Sequence, residues 1–286
     1  MGTLPKLNKY HPLFGTFCLI LLILILIIYN IELIKLLISY FRVSKNKFTE
    51  VSNSTIPLKI AITTAENRKE DYIKYHDINI QKYCDKYSYD YIRTDNCKPE
   101  EINTYWCKVL RVKEILLTNK YDYVMWLDSD TIIKDYSVSL EYYIKKYGYK
   151  DIYISYENVG GILKYITQFF TMLNAGIFII KNSEIGLKFI NDCLDYLDKR
   201  AGDCITNNKL KGMWAGDCYE QGVINMKIKY DYSEYTFIDY NQEFIKNISI
   251  LLGYHPKIVD SKGIVHLAGY SNKKRNKEFE KYINLI

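Results

Sequence analysis

Residues 123–132 (YVMWLDSDTI) constrain the fold of this chain more than any other segment. Five apolar or aromatic residues, typical of a buried strand, run directly into Asp128 and Asp130, with Ser129 between them. Carboxylates at the carboxyl end of a buried strand lie where open α/β sheets bind their ligands. Two such oxygen donors are suited to a hard divalent cation that neutralises a diphosphate. The structural alternative is an Asp pair that begins a turn or caps a helix.

Apolar runs alternate with helical patterns over residues 57–286, which predicts an α/β domain with a mostly parallel sheet and helices on both faces. The predicted strands are residues 58–64, 89–92, the run that ends at Asp128, 151–155 and 172–180. The predicted helices are residues 69–86, 105–117 and 183–197, the last of them capped by Ser183. No Gly/Pro/Ser-rich linker divides the segment, so we expect one large domain.

The amino-terminal segment predicts a membrane anchor. Residues 13–31 carry no charge and centre on an unbroken Leu/Ile run, which is long enough to cross a bilayer of about 30 Å. A cleaved signal peptide is the alternative, but small residues do not follow the run. We predict a cytoplasmic tail (1–12), a transmembrane anchor (13–31), a stem (32–56) and a catalytic domain (57–286). Basic residues flank the span on both sides, so the charge rule alone leaves the orientation open.

Net charge, glycosylation sequons and cysteine content indicate what kind of partner and compartment this chain has. The net charge of +6 is spread along the chain, which does not indicate a nucleic-acid groove. The sequons at Asn53 and Asn247 fit a lumenal domain. Of the 7 cysteines, only Cys18 lies in the span; the other six permit disulfides whose pairing the sequence leaves open. No Cys-x-x-Cys spacing supports a zinc site.

Four blocks in order resemble a known family. They are residues 105–110 (YWCKVL), 125–130 (MWLDSD), 173–183 (LNAGIFIIKNS) and 263–269 (GIVHLAG). The pattern is similar to that of GT-A nucleotide-sugar glycosyltransferases with a Golgi-type anchor, in particular the fungal α-galactosyl- and α-mannosyltransferase family that includes plant xyloglucan xylosyltransferases. The resemblance implies a Rossmann-like GT-A domain, a type II membrane topology and a lumenal catalytic domain in the Golgi or an equivalent secretory membrane.

The resemblance also implies a set of site residues. Asp128, Asp130 and His266 would hold Mn²⁺, with Mg²⁺ as the alternative, because imidazole suits Mn²⁺. The non-functional interpretation of His266 is a core histidine. The nucleotide-sugar would contact the following further residues: Thr63, Thr64, Lys108, Ser129, Asn174, Ala175, Gly176, Gly269 and Lys273. Related transferases place their phosphate-binding lysine at another spacing after the glycine, so the choice among residues 273–275 stays open.

Asp217, Glu220, Gln221 and Ile224 follow one another at helical spacing. The resemblance places an acid followed by Gln near the sugar's anomeric carbon, although Glu220 stands here where Asp is usual. Capping of a helix by Asp217 is the structural alternative. We predict that Glu220, Gln221 and Asp217 form the catalytic set.

The resulting prediction is metal-dependent transfer of a hexose or pentose from a nucleotide sugar, most simply a UDP-sugar, to a glycan or glycoprotein hydroxyl, with retention by family analogy. Two other classes of protein share part of this sequence pattern. A haloacid-dehalogenase-type phosphatase also has Asp-x-Asp at a strand end, but Ile132 stands where that motif requires Thr or Val. A membrane-tethered, non-catalytic glycan-binding relative is the second alternative.

Overall fold

The structure is a computed structural model that describes residues 57–95, 104–157, 172–207, 209–212, 215–240, 242–247 and 263–283. The strands are β1 (Ile60–Ala65), β2 (Asp90–Thr94), β3 (Tyr123–Leu127), β4 (Thr131–Ile133), β5 (Ile152–Tyr156), β6 (Leu173–Lys181), β7 (Ile205–Thr206), β8 (Lys209–Leu210), β9 (Thr236–Asp239), β10 (Ile245–Asn247) and β11 (Ile264–His266). The helices are α1 (Asp71–Tyr87), α2 (Cys107–Leu116), α3 (Leu140–Lys146), α4 (Glu184–Cys204), α5 (Glu220–Tyr230) and α6 (Asn272–Ile283).

A six-stranded sheet with the order β2-β1-β3-β6-β5-β9 forms the centre of the domain. Five of its strands run parallel, whereas β6 is antiparallel to both of its neighbours, β3 and β5. The prediction of a mostly parallel α/β sheet is therefore confirmed, with β6 as an exception that the alternation of elements did not reveal.

Alternate residues of β3 enter opposite cores because successive strand side chains point to opposite faces. Val124 and Trp126 pack with apolar residues of α2, α4 and α5. Tyr123 and Met125 pack with residues of α1 and α3 on the other face. Helices thus cover both faces of the sheet, as predicted, and they bury all five residues of β3.

The structure contains the predicted helices and strands, but several of them begin or end at other residues than predicted. Ser183 caps α4 as expected, since its hydroxyl accepts from the backbone N–H of Gly186. This helix continues to Cys204, beyond the predicted end at residue 197, because the buried Cys204 and Leu197 extend its apolar face. The short strands β4, β9 and β10 were not predicted individually.

A second, three-stranded sheet with the order β10-β11-β4 positions the candidate site. β11 pairs antiparallel with β4, and His266 lies opposite Thr131. Since Thr131 directly follows Asp130, this register brings the late histidine next to the aspartate motif at the end of β3.

A disulfide joins Cys204 to Cys218, and Cys107 is disulfide-bonded as well. Cys84 and Cys193 are buried free thiols. The predicted tail, anchor and stem lie outside the described residues. None of the helices that the structure describes combines the length and the apolar character needed to cross a membrane.

Candidate metal centre and active site

Asp128, Asp130 and His266 converge at one edge of the two sheets. One potential ligand atom from each of these side chains lies within 4.8 Å of the others. His266 Nε2 lies 3.1 Å from Asp130 Oδ1 and 3.8 Å from Asp128 Oδ2. The predicted metal ligands are therefore brought together, and they combine two carboxylates with an imidazole, a donor set compatible with Mn²⁺.

His266 is oriented by its other ring nitrogen. Nδ1 lies 3.0 Å from Asn174 Oδ1, which also accepts from the backbone N–H of Gly176 at 2.8 Å. An amide oxygen only accepts, so Nδ1 carries the proton and Nε2 faces the carboxylates. Asn174 in turn donates to the buried Glu157. The sequence prediction gave Asn174 a contact with the donor sugar, whereas here its amide supports the histidine.

Gly176 is required by the close approach of His266. A Cβ atom at position 176 would lie 2.1 Å from His266 Cε1, which no side chain could tolerate without moving the ring. The small residues at the start of β6 therefore make room for an imidazole in this structure.

Trp126 and Lys108 hold Asp128 in place. Its Oδ1 accepts from Trp126 Nε1 at 2.6 Å and lies 3.0 Å from Lys108 Nζ. These contacts fix the carboxylate, as the outer partners of metal-ligating side chains do in known metal sites. The tryptophan of the YVMWL strand thus has a polar function as well as a place in the core.

Lys108 connects Asp128 to Glu220. Its buried ammonium lies 3.2 Å from Glu220 Oε1 and donates to the carbonyl of Ala175 at 3.2 Å. Although burial opposes the charge, Asp128 and Glu220 raise the pKa of Lys108 well above its usual value. Lys108 was predicted near the nucleotide; here its three N–H donors have partners within the protein.

Glu220 is the first residue of α5 and is buried. Oε1 contacts Lys108, whereas Oε2 has no hydrogen-bond partner among the described residues. Burial raises the pKa of Glu220, Lys108 lowers it and Asp128 raises it again, with a net increase. A buried carboxylate oxygen without a partner is costly, so it is a candidate acceptor for a ligand hydroxyl. Gln221, next to it, accepts from the backbone N–H of Ala175 at 3.0 Å.

Asp217 does not belong to this arrangement. Helix α5 begins at Glu220 with Tyr219 as its N-cap, so neither the helical spacing nor the capping role expected for Asp217 is realised. Its exposed carboxylate instead accepts from Arg200 at 2.5 Å. The prediction that Asp217 lies on the same helical face as Glu220 is wrong, because the helix starts three residues later.

The basic residue that reaches the site after Gly269 is Arg275. Its guanidinium donates to Asp130 Oδ2 at 2.6 Å and lies over the ring of Tyr72, whereas Lys273 is exposed. Although burial raises it, His266 and Arg275 hold the pKa of Asp130 well below its usual range. Gly269 adopts a φ of +75°, which confirms that the chain turns there.

Ser129 contacts Glu66 and Arg68, two site residues that we did not predict from the sequence. Its hydroxyl donates to Glu66 Oε2 at 2.6 Å and accepts from Arg68 at 3.2 Å, and Glu66 and Arg68 form an ion pair. Glu66 directly follows β1, at the same edge of the sheet as Asp128. An acid immediately after the first strand was the signal that could have found this pair.

Thr63 and Thr64, which we predicted to border the base and ribose, lie in β1 of the central sheet. Both side chains are fully buried. Thr63 donates to the carbonyl of Ile92 and Thr64 to that of Leu127, each at 2.7 Å. Their hydroxyls connect β1 to its neighbouring strands β2 and β3.

Residues 49–284 match the model of the galactosyl transferase GMA12/MNN10 family. Galactomannan galactosyltransferase 1 of Cyamopsis tetragonoloba is 26% identical over 110 residues, 38% of this chain and 24% of that protein. Putative glycosyltransferase 7 of Arabidopsis thaliana is 24% identical over 110 residues, 38% of this chain and 23% of that protein. The matched segment thus spans about a quarter of the length of these two relatives.

A solved structure shares the fold. The crystal structure of a glycosyltransferase involved in the glycosylation of the major capsid of PBCV-1 aligns with a TM-score of 0.54 and 16% identity. The alignment covers 78% of this chain and 99% of that one.

Proposed function

Because this chain belongs to the galactosyl transferase GMA12/MNN10 family and is a glycosyltransferase, we propose that it transfers a hexose or pentose from a nucleotide-diphosphate sugar, with UDP as the leaving group, to a glycan or glycoprotein hydroxyl. The single observation that carries this proposal is the Asp128–Asp130–His266 cluster, joined to the buried Glu220 through Lys108. The family match removes the phosphatase alternative.

Asp128, Asp130 and His266 would hold Mn²⁺ or Mg²⁺. Three features of the protein fit this role: the Nε2 atom of His266 that faces both acids, the space that Gly176 leaves for the ring, and the fixation of Asp128 by Trp126. When bound, the cation supplies positive charge that stabilises the departing diphosphate.

The protein's own residues have distinct tasks in this proposal. Glu220 Oε2 accepts a hydroxyl of the donor sugar or faces the positive charge that develops on it during bond cleavage. Gln221 supports the pocket through its bond to Ala175, and Lys108 lowers the pKa of Glu220 against the effect of burial. The acceptor hydroxyl attacks from the side of the leaving group, which retains the configuration of the sugar; this stereochemistry rests on the family analogy.

We also propose that residues 13–31 anchor the protein as a type II membrane protein, with the catalytic domain in the lumen of the Golgi or an equivalent compartment. The uncharged Leu/Ile run supports the anchor. The disulfide between Cys204 and Cys218 supports an oxidising compartment.

The test is release of nucleoside diphosphate from UDP-galactose, UDP-glucose, UDP-xylose and GDP-mannose with Mn²⁺. We expect one of the UDP-sugars to be hydrolysed slowly without an acceptor. Glu220→Gln keeps the size of the side chain and removes its charge, so turnover should fall by roughly 10²-fold or more while UDP affinity stays nearly constant. Wild-type turnover in this variant would make Glu220 a helix-end charge, and no release from any donor would contradict the proposed reaction.

A further inference from the structure

Glu157, the residue after β5, is a buried acid to which the proposed reaction gives no task. Only 2% of its surface is exposed, although a glutamate is almost never buried to this extent unless its carboxyl group is paired. Burial raises the pKa of Glu157, while Asn174 and His266 oppose that rise. Placing a carboxyl group in the interior costs folding free energy, so its position next to the candidate metal centre needs an explanation.

Asn174 connects Glu157 to His266. The amide nitrogen of Asn174 donates to Glu157 Oε2, and the amide oxygen lies 3.0 Å from His266 Nδ1. The three side chains come from the end of β5, the start of β6 and the end of β11. We call them the Glu157–Asn174–His266 network. It leads from a buried acid to the ring that faces the two aspartates.

An irregularity between β5 and β6 places the first two members of this network together. Ser155 pairs with Asn174, whereas the residue before it pairs with Phe178, so residues 175–177 form a bulge in β6. Bulges bend a strand and redirect its side chains. The backbone of Glu157 still pairs with β6 beyond the bulge. Glu157 is therefore the diagonal neighbour of Asn174, a separation that a long side chain can bridge.

The network determines which ring nitrogen of His266 carries the proton. A carboxylate only accepts hydrogen bonds and a backbone N–H only donates them. Glu157 therefore holds the NH₂ group of Asn174, while the N–H of Gly176 holds its oxygen at 2.8 Å. An amide turned the other way would present NH₂ to Nδ1 and favour a proton on Nε2, the atom that faces Asp130. A protonated Nε2 cannot bind a cation.

We propose that Glu157 is a positioning residue of the metal centre, which acts through Asn174 to keep Nε2 of His266 available to a divalent cation. This inference rests on the proposed function, because it concerns the same cation site. Mutation of the outer partners of metal-ligating histidines commonly lowers metal affinity by about 10–100-fold. Since an amide separates Glu157 from the ring, we expect the lower end of that range.

The test uses the whole 286-residue chain in detergent, with isotope-labelled histidine, and needs no enzymatic activity. Nitrogen NMR of the metal-free protein, at a pH where the rings are neutral, distinguishes a proton on Nδ1 from one on Nε2. The chain has 4 histidines, and the signals of His266 are those that disappear in His266→Ala. The buried His76, whose Nδ1 lies 2.8 Å from the carbonyl oxygen of Thr131, is the internal control. Calorimetry gives the Mn²⁺ affinity.

Two substitutions of Glu157 separate its acceptor oxygen from its charge. Glu157→Met removes the acceptor at similar length, so the proton of His266 should move towards Nε2 and Mn²⁺ affinity should fall about tenfold. Glu157→Gln keeps an acceptor oxygen for Asn174 and should retain the wild-type tautomer and most of the affinity. Asp239→Asn is the matched control, because Asp239 is another buried acid of the sheet and accepts from backbone N–H groups. It should lower stability and change neither tautomer nor affinity.

The outcomes distinguish this proposal from the proposed function. A wild-type tautomer or wild-type Mn²⁺ affinity in folded Glu157→Met, or a proton on Nε2 in the wild-type protein, overturns the role of Glu157 alone. An equal loss of affinity in Glu157→Gln and Glu157→Met also overturns it, because charge would then be the cause. If Glu157→Met does not fold, Glu157→Asp replaces it, since the shorter side chain withdraws the oxygen and should give the same loss. A wild-type protein that binds no Mn²⁺ counts against the proposed function itself.

Discussion

Replacing Lys108 by Met should destabilise the protein strongly even without a ligand. The ammonium is buried and lies 3.0 Å from Asp128 Oδ1 and 3.2 Å from Glu220 Oε1. At an effective dielectric constant of about 20, each contact corresponds to roughly 5 kcal/mol of Coulomb energy, most of which desolvation offsets. Removing the cation leaves Glu220 buried and unpaired, a change that costs about 3–5 kcal/mol.

A double variant isolates the cause. In Lys108→Met/Glu220→Gln the buried carboxylate is also neutralised, so we expect at least about 2 kcal/mol of the loss to be recovered. The assay is urea unfolding followed by tryptophan fluorescence at pH 7, with EDTA to exclude divalent ions. A cost below about 1 kcal/mol for Lys108→Met, or a double variant as unstable as the sum of the single variants, would refute the reasoning.

The pH dependence of Lys108→Met provides a second signature. Burial raises the pKa of Glu220 above 4.5 even with Lys108 present, and removal of Lys108 raises it further. An acid whose pKa is raised in the folded state destabilises the protein at high pH; this penalty begins to shrink as the pH falls below the folded-state pKa and is gone below the unfolded-state pKa. The variant should therefore regain stability relative to the wild type as the pH is lowered towards 4.5, the ordinary pKa of a glutamate.

Three further predictions concern the metal centre and the domain boundary. Gly176→Ala should abolish the Mn²⁺ response of thermal stability, because the added Cβ would displace the His266 ring, whereas Gly202→Ala, with open space around it, is the control. Burial lowers the pKa of His266, but Asp130 and Asp128 raise it, and the net shift is upwards from 6.5. Because a proton on His266 competes with the cation, Mn²⁺ affinity measured by calorimetry should increase about tenfold per pH unit until this pKa is passed. Deleting residues 1–50 should yield a soluble protein that still binds UDP; loss of circular-dichroism signal or of binding would move the domain boundary.

The position of β3 and its aspartates could be predicted because an unbroken apolar run that ends in two acids has few alternative structures. The direction of β6 could not be predicted, since the alternation of a strand is the same in both directions and only its neighbours decide it. Because both faces of β6 are buried, this strand also lacks the alternating polar residues that mark a strand with one face in solvent.

The partners within the site depend on contacts between distant parts of the chain. His266 and Asn174 are 92 positions apart, so spacing does not reveal that the amide orients the ring. Lys273 and Arg275 are both basic, so their chemistry alone does not predict which of them reaches the site. The helical phase of α6 directs Arg275 to Asp130 and leaves Lys273 exposed. Asp217 was grouped with Glu220 because a helix start is uncertain by a few residues.

Calorimetric titration of UDP in the presence of Mn²⁺ tests the central claim most directly. The wild-type protein should bind UDP only when Mn²⁺ is present, and Asp130→Ala and His266→Ala should each abolish the Mn²⁺-dependent part of binding while the protein stays folded. Wild-type UDP affinity in His266→Ala, together with a large loss of thermal stability, would contradict the claim and identify His266 as a core residue.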